Sequence, residues 1–454
     1  MNKTPEEMKT LDRMRENYVP DKVKKLNDKD IQWFRDAKFG MFIHWGLYAM
    51  LERGEWILFS EKLNVSEYSK LSEDFSAQSF DAAAWAKAAK NAGMKYMVLT
   101  ARHHDGFCLF NSKASSFNSV NSAAKKDFVR EYADACRAEG LKVGLYYSPL
   151  DWRFPGYFLP EMYWDSALEM KKQCHEQLRE LMTNYGKIDL LWFDGEWLAL
   201  GGMDWNPQIG WNRNEDWMHS KFFQVNYFWE SEKVINMIRE LQPGIMINNR
   251  FGWEGDFHVR ERRIDGIRTD KPWDSNDCIA DSWGYIPERP VLSTAQLVKN
   301  LVSIVVRDGN YLLNIGPTGN GDMEQSQVKR LEELGKWLEK HGESIYDTRG
   351  GPVIPGNWGG CTYRGHTVYV HITDWCDDKI VFPIPSENKL RSFSSLTSEQ
   401  VDVKESEGNI EIKVAIEFRG QYVTIVRLQF ESEIVWEGIT TRENDAYGLA
   451  DGLQ

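Results

Sequence analysis

Six short apolar runs recur along the first three-quarters of the chain. They read KFGMFIHWG (38–46), KYMVLTARHHDG (95–106), KVGLYYS (142–148), DLLWFDGE (189–196), GIMINNR (244–250) and YLLNIGP (311–317). Stretches with helical period lie between them, at 79–92, 126–139, 165–185 and 324–340, the first three stopped by Gly93, Gly140 and Gly186. Runs apolar on both faces suit strands covered on both sides. Strand–loop–helix units repeated in this way predict parallel strands and an α/β fold. Over this length the pattern predicts a (β/α) TIM-like barrel, irregular where residues 251–300 break the rhythm.

The C-terminal ends of these runs are ionisable or polar: His44, then Arg102 to Asp105, Tyr147, Asp194 and Glu196, Asn248 to Arg250, and Asn314. In a barrel those ends converge on one face, where active sites are built. Ordinary loop entry predicts Gly, Ser, Lys and Asn there, and does not predict His, Arg, Asp and Trp. After about residue 345 the texture changes to short β-rich runs (367–372, 379–384, 411–416, 422–430) with turn signals between. The expected organisation is a catalytic barrel over 1–345 and an antiparallel β-sandwich over 346–454.

Composition excludes several function classes. The net charge of -13 argues against a nucleic-acid partner, which needs a basic face, and against a polybasic membrane patch. No stretch approaches about 18 continuous apolar residues, so no transmembrane helix is expected. The charged N-terminus lacks an apolar signal core, which leaves two expectations: a soluble cytoplasmic protein, or one secreted after its signal peptide is removed. Six widely spaced cysteines form no CxxC pair, which disfavours a zinc ribbon. The 19 Trp, 18 Tyr and 22 Phe suit either a bulky core or a cleft that stacks flat sugar faces.

Within the motifs, HHD (103–105) invites a metal reading, but adjacent residues on a strand point to opposite faces, and no HExxH accompanies them. NIGPTGNG (314–321) lacks the GxxxxGK[ST] phosphate-loop pattern, and no GxGxxG follows a strand, so no nucleotide cofactor is expected. What remains is carboxylate chemistry. Asp194 sits at a strand tip, and a second acid is available from Glu55, Glu196, Glu254, Asp256 or Glu261. A pair of this kind is the working minimum for glycoside hydrolysis.

The sequence resembles the family 29 glycoside hydrolases, the α-L-fucosidases. The resemblance is carried, in order, by WFRDAKFGMFIHWGLYA (33–49), GEW (54–56), TARHHDGFCLFNSKAS (100–115), GLYYSPLDW (144–152), LLWFDGEW (190–197), INNRFG (247–252), DSWGYI (281–286) and GNYLLNIGPTGNG (309–321). It implies exo-acting, retaining hydrolysis of a fucosylated oligosaccharide or glycoconjugate without cofactor or metal. It implies Asp194 as nucleophile and, through GDFHVRE, Glu261 as acid/base, with Glu254 as the alternative. Val259-Arg260 stands where many relatives carry Thr-Pro or Thr-Ala. The positions matching the family's sugar pocket are His44, Glu55, Trp56, His103, His104, Tyr147, Trp192, Arg250 and Trp283. The rival expectations are a glycosidase for a related sugar such as an α-L-galactoside, and a non-catalytic carbohydrate-binding protein. The sequence is compatible with a monomer or an oligomer.

Overall fold

A computed structural model describes residues 10–200, 222–264, 266–267, 270–384 and 388–436. The first nine residues of the polar N-terminal stretch and residues 437–454 of the expected sandwich lie outside these.

Eight parallel strands form one curled sheet: β1 (Phe39–Ile43), β2 (Tyr96–Arg102), β3 (Lys142–Tyr147), β4 (Leu190–Phe193), β5 (Met246–Ile247), β6 (His258–Glu261), β7 (Trp273–Cys278) and β8 (Asn310–Ile315). Their order is β5-β4-β3-β2-β1-β8-β7-β6. The six runs read from the sequence are β1 to β5 and β8. The helices between them start and stop where their caps dictate. Asp81 accepts from the Ala84 N–H to open Ala82–Asn91, and Asp127 accepts from the Arg130 N–H to open Phe128–Ala138. Gly93 and Gly140 then carry the chain out through positive φ.

Residues 251–300 contain β6 and β7, which the apolar pattern did not reveal. Their sequences are HVRE and WDSNDC. An apolar run is missing because their inward positions hold polar groups, among them Glu261, Asp274 and Asn276. The helices Ser231–Leu241 and Thr294–Val305 were also not expected from the pattern.

The barrel's seam lies between β5 and β6. These strands share no ladder, and a single bridge joins Asn248 to Phe257. Side chains replace the missing ladder. Asp256 accepts from the Ile247 N–H at 2.8 Å and pairs with Arg239. The Asn248 amide accepts from the Phe193 N–H and donates to the Phe193 carbonyl, both at 2.9 Å. This two-point clamp extends the pairing of β4 past the end of β5 and fixes the backbone immediately before Asp194.

Two packing layers follow from strand alternation. Phe42, Tyr96, Val98, Tyr146, Leu190, Trp192, Met246, Val259 and Leu312 fill the barrel interior. Their neighbours Met41, Ile43, Met97, Leu99, Tyr147, Leu191, Phe193 and Leu313 face the helices.

Beyond the last turn of the barrel, Gly342–Ser344, the chain forms two antiparallel sheets. One has five strands (β9 Arg349–Gly350, β10 Gly359–Arg364, β11 Thr367–Ile372, β13 Leu390–Ser395, β16 Thr424–Phe430). The other has three (β12 Lys379–Pro383, β14 Asp402–Ser406, β15 Asn409–Lys413). Val370, Ile372, Ile410, Ile412, Val426 and Leu428 form the core between them. Tyr369 and Ile425 join the barrel's outer core, and the Thr362 hydroxyl donates to the Ser344 carbonyl at 2.7 Å.

The face holding the strand C-termini rests on a buried ion pair. Arg102, at the end of β2, is fully buried and lies 2.6 Å from Asp151, which also pairs with Arg153 at 2.6 Å and accepts from Gln173. Removing one partner of a buried pair leaves the other charge uncompensated, at about 3–5 kcal/mol. Asp151→Ala is expected to lower unfolding free energy by about that amount in denaturant titration. A loss below about 1 kcal/mol would show that Arg102 finds other compensation.

Candidate active site

Asp194 follows β4, and alternation decides where it points. Leu190 and Trp192 face the barrel interior, so Asp194 does too, while Leu191 and Phe193 face the helices. At the C-terminal face Asp194 joins a small cleft. The cleft is lined by Phe42, His44, Glu55, Trp56, His103 and Tyr146, and by Trp192, Asp194, Arg250, Glu261, Asn276 and Trp283.

One guanidinium joins the two carboxylates singled out from the sequence. Arg250 Nη1 lies 2.9 Å from Asp194 Oδ1, and Nη2 lies 2.9 Å from Glu261 Oε2. Arg250 is itself held 5.1 Å from the centre of the Trp192 ring. The Tyr146 hydroxyl donates to Asp194 Oδ2 at 3.2 Å. Glu254, by contrast, lies on the surface beside Lys25 and Lys271, outside the cleft. The arginines adjacent to Glu261 in sequence do not form its contact. Arg262 pairs with Asp281 at 3.1 Å, and the partner of Glu261 comes from the far side of the seam.

Seven of the nine predicted pocket residues line the cleft: His44, Glu55, Trp56, His103, Trp192, Arg250 and Trp283. Tyr147 does not, which corrects the expectation. Tyr146 pairs in register with Trp192, and Tyr147 with Phe193. Since Trp192 faces inward, Tyr146 must as well, and Tyr147 is turned outward, where its hydroxyl donates to Gln177 Oε1 at 2.8 Å. His104 is fully buried and does not line the cleft; its Nε2 lies 3.6 Å from Asp194 Oδ2, beyond hydrogen-bond distance. Phe42, Tyr146 and Asn276 were not anticipated. Parity with His44 and Trp192 signals the first two. Asn276 sits on a strand that the apolar pattern did not reveal.

The local hydrogen bonds fix several donors and acceptors. Asn314 donates its amide to the Trp283 carbonyl, so its oxygen accepts from His44 Nδ1 at 2.7 Å. His44 Nε2 is therefore left as an acceptor, suited to a ligand hydroxyl. Glu55 accepts from the Gly284 N–H at 2.8 Å. A Cβ on Gly284 would meet the Glu55 backbone nitrogen at 2.8 Å, so only glycine lets this loop lie so close. Among the described residues, no group of three or more His, Cys, Asp or Glu is placed to hold a metal ion. No helix among them is long and apolar enough to cross a membrane.

Burial dominates the electrostatics. It holds His103 and His104 well below the ordinary histidine range and lowers His44 to about 3, so all three are neutral donors or acceptors near neutral pH. Burial pushes Asp194 up, while the Arg250 guanidinium and the Tyr146 hydroxyl pull it back toward the anion. Glu55 is also pushed up by burial. Asp274, which accepts from Trp192 Nε1 at 3.2 Å, rises to about 7.

Glu196, buried beside Asp194, rises to about 8 from an ordinary 4.5. A raised folded value means stability that is complete below the unfolded pKa and is lost as pH rises through the folded one. Denaturant titrations from pH about 7.5 to about 8.5, above the histidine range, should show wild-type stability falling. Glu196→Gln should fall less steeply. Equal slopes would mean that Glu196 does not titrate in this window.

Known proteins share this chain's sequence pattern and fold. The family model described as Alpha-L-fucosidase matches residues 7–343. Human plasma alpha-L-fucosidase is 32% identical over 381 residues, covering 76% of each chain. Alpha-L-fucosidase isoenzyme 1 from Paenibacillus thiaminolyticus superposes with a TM-score of 0.75 at 34% identity, over 89% of this chain and 99% of its own. A family 29 alpha-L-fucosidase from Bacteroides thetaiotaomicron, solved as a covalent intermediate trapped with 2-fluoro-fucosyl fluoride, has a TM-score of 0.77 at 26% identity, over 92% of this chain and 99% of its own. With its barrel, its sandwich and its paired carboxylates, the chain belongs to the family 29 α-L-fucosidases.

Proposed function

We propose that this chain is an exo-acting, retaining α-L-fucosidase in which Asp194 is the nucleophile and Glu261 the acid/base. The observation that carries the reading is the Arg250 bridge, which sets both carboxylates against one guanidinium inside one cleft. Direct displacement by a carboxylate requires the pair to lie close, about 5–5.5 Å, whereas inversion leaves room for a water between them. Two carboxylates sharing one guanidinium favour the close arrangement.

In the first step Asp194 attacks the anomeric carbon while Glu261 gives its proton to the leaving glycosidic oxygen. The C–O bond to the aglycone breaks as the fucosyl–Asp194 ester forms. In the second step Glu261 takes a proton from water, whose oxygen attacks the same carbon and releases Asp194. Two inversions leave the product in the α configuration. The ring of hydroxyls on the sugar meets His44, His103 and Glu55, and its apolar faces meet Phe42, Trp192 and Trp283. The substrate is a terminal α-L-fucoside of an oligosaccharide or glycoconjugate. The division into a catalytic unit over 1–345 and a sandwich unit over 346–454 belongs to the same reading.

Asp194→Ala should lose at least about 10³-fold in kcat on an aryl α-L-fucoside and regain turnover with azide. Near-normal turnover without azide would remove Asp194 from the role. Glu261→Ala should lose roughly 10²–10⁴-fold on a fucosylated oligosaccharide and far less on a substrate with a good leaving group. Equal losses on both would point to another acid. Tyr146→Phe should lower kcat/KM roughly tenfold by removing one hydrogen bond to Asp194. Tyr147→Phe should instead cost about 1 kcal/mol of stability and leave kcat/KM unchanged. The opposite pattern would place the wrong tyrosine in the cleft.

A further inference from the structure

We propose that Asn276 is a positioning residue for Glu261: it holds the Glu261 carboxyl in its proton-donating state after Arg250 has released it. The proposal rests on reading Glu261 as the acid.

Asn276 lies on β7, lines the cleft and is 1% exposed. Neither its amide nitrogen nor its amide oxygen has a hydrogen-bond partner among the described residues. Leaving a buried polar group unpaired costs about 1–3 kcal/mol, and such groups are rare in folded proteins. An unpaired amide facing a cleft is a group waiting for a partner.

The fold supplies one. In the ladder between β6 and β7, Glu261 and Asn276 are direct register partners. Adjacent strands lie about 4.8 Å apart, and both side chains are on the inward face. The Glu261 backbone is fixed by that ladder, so exchanging partners needs only rotation of its side chain. Glu261 is also the more open of the two carboxylates, with its side chain 29% exposed against 16% for Asp194.

The exchange has a chemical reason. Arg250 carries donors only, so it satisfies a carboxylate and opposes its protonation. A general acid must hold a proton before it can give one. A carboxamide is neutral and serves both forms: Nδ2–H donates to the anion, and Oδ1 accepts from the O–H of the acid. Bound to Arg250, Glu261 is at rest; bound to Asn276, it can carry the proton.

Among the described residues, the other charges near Glu261 are engaged elsewhere or turned away. Arg262 is engaged by Asp281 and Asp277, and alternation turns Arg260 and Asp277 away from the interior. Asp194 is held by Arg250 and Tyr146. Burial keeps Glu55 and Glu196 toward their neutral acids, and His44, His103 and His104 toward their neutral bases.

The test uses the full chain with Asn276→Leu, which is similar in size and cannot hydrogen-bond, beside Asn276→Asp and a Glu261→Gln control. In Asn276→Leu, kcat on a fucosylated oligosaccharide should fall at least roughly tenfold with KM little changed, and kcat on 2-chloro-4-nitrophenyl α-L-fucoside less than about threefold. The alkaline limb of kcat/KM should move about one pH unit lower, because the carboxamide that accepts the acid's O–H is gone. In Asn276→Asp the added carboxyl should move that limb higher. Equal losses of Asn276→Leu on both substrates, or an alkaline limb unmoved in both variants, would overturn the proposal. If Glu261→Gln itself loses equally on both substrates, the acid assignment fails first, and the role of Asn276 falls with it.

Discussion

A single guanidinium shared by two carboxylates organises the site. Arg250 sits between Asp194 and Glu261, which come from opposite sides of the barrel seam. Burial penalises the charge on Asp194 in this cleft. The shared cation offsets part of it, and burial elsewhere keeps the histidines and Glu196 neutral, so they add little competing charge. The arrangement requires a precisely fixed backbone on the β4 side. The Asn248 amide provides this by gripping both polar groups of Phe193, one residue before Asp194.

Alternation along parallel strands then determines which side chains can take part. On β4 it sends Trp192 and Asp194 inward and Phe193 outward. Through the β3–β4 register it sends Tyr146 inward and Tyr147 outward. On β6 and β7 it brings Glu261 and Asn276 to the same face. The chemistry is therefore set by strand parity before any loop is considered. The loops add Glu55, Trp56 and Trp283, and Gly284 allows two of those loops to touch.

This division explains what could be read from the sequence. Apolar runs are visible where a strand is covered on both faces, and β1 to β5 and β8 are of this kind. Asp194 stood out as the first acid beyond such a run. β6 and β7 were hidden because polar side chains, Glu261, Asp274 and Asn276, occupy their inward positions, which erases the apolar signal. Motif position points to Tyr147, whereas the register with Trp192 turns Tyr146 inward. His104 reads as a pocket residue from its motif, yet it does not line the cleft. The Glu261–Arg250 contact had no sequence signal, because it crosses the seam and depends on three-dimensional closure.

The claim at the centre of this account is that Asp194 becomes covalently bonded to the sugar. The most direct measurement is incubation with 2-fluoro-fucosyl fluoride, followed by proteolysis and mass spectrometric mapping of the adduct. The account predicts one 2-fluorofucosyl group, carried by Asp194. An adduct on Glu55, Glu196 or Glu261, or an enzyme that turns over α-L-fucosides but forms no adduct and yields the inverted anomer, would contradict it.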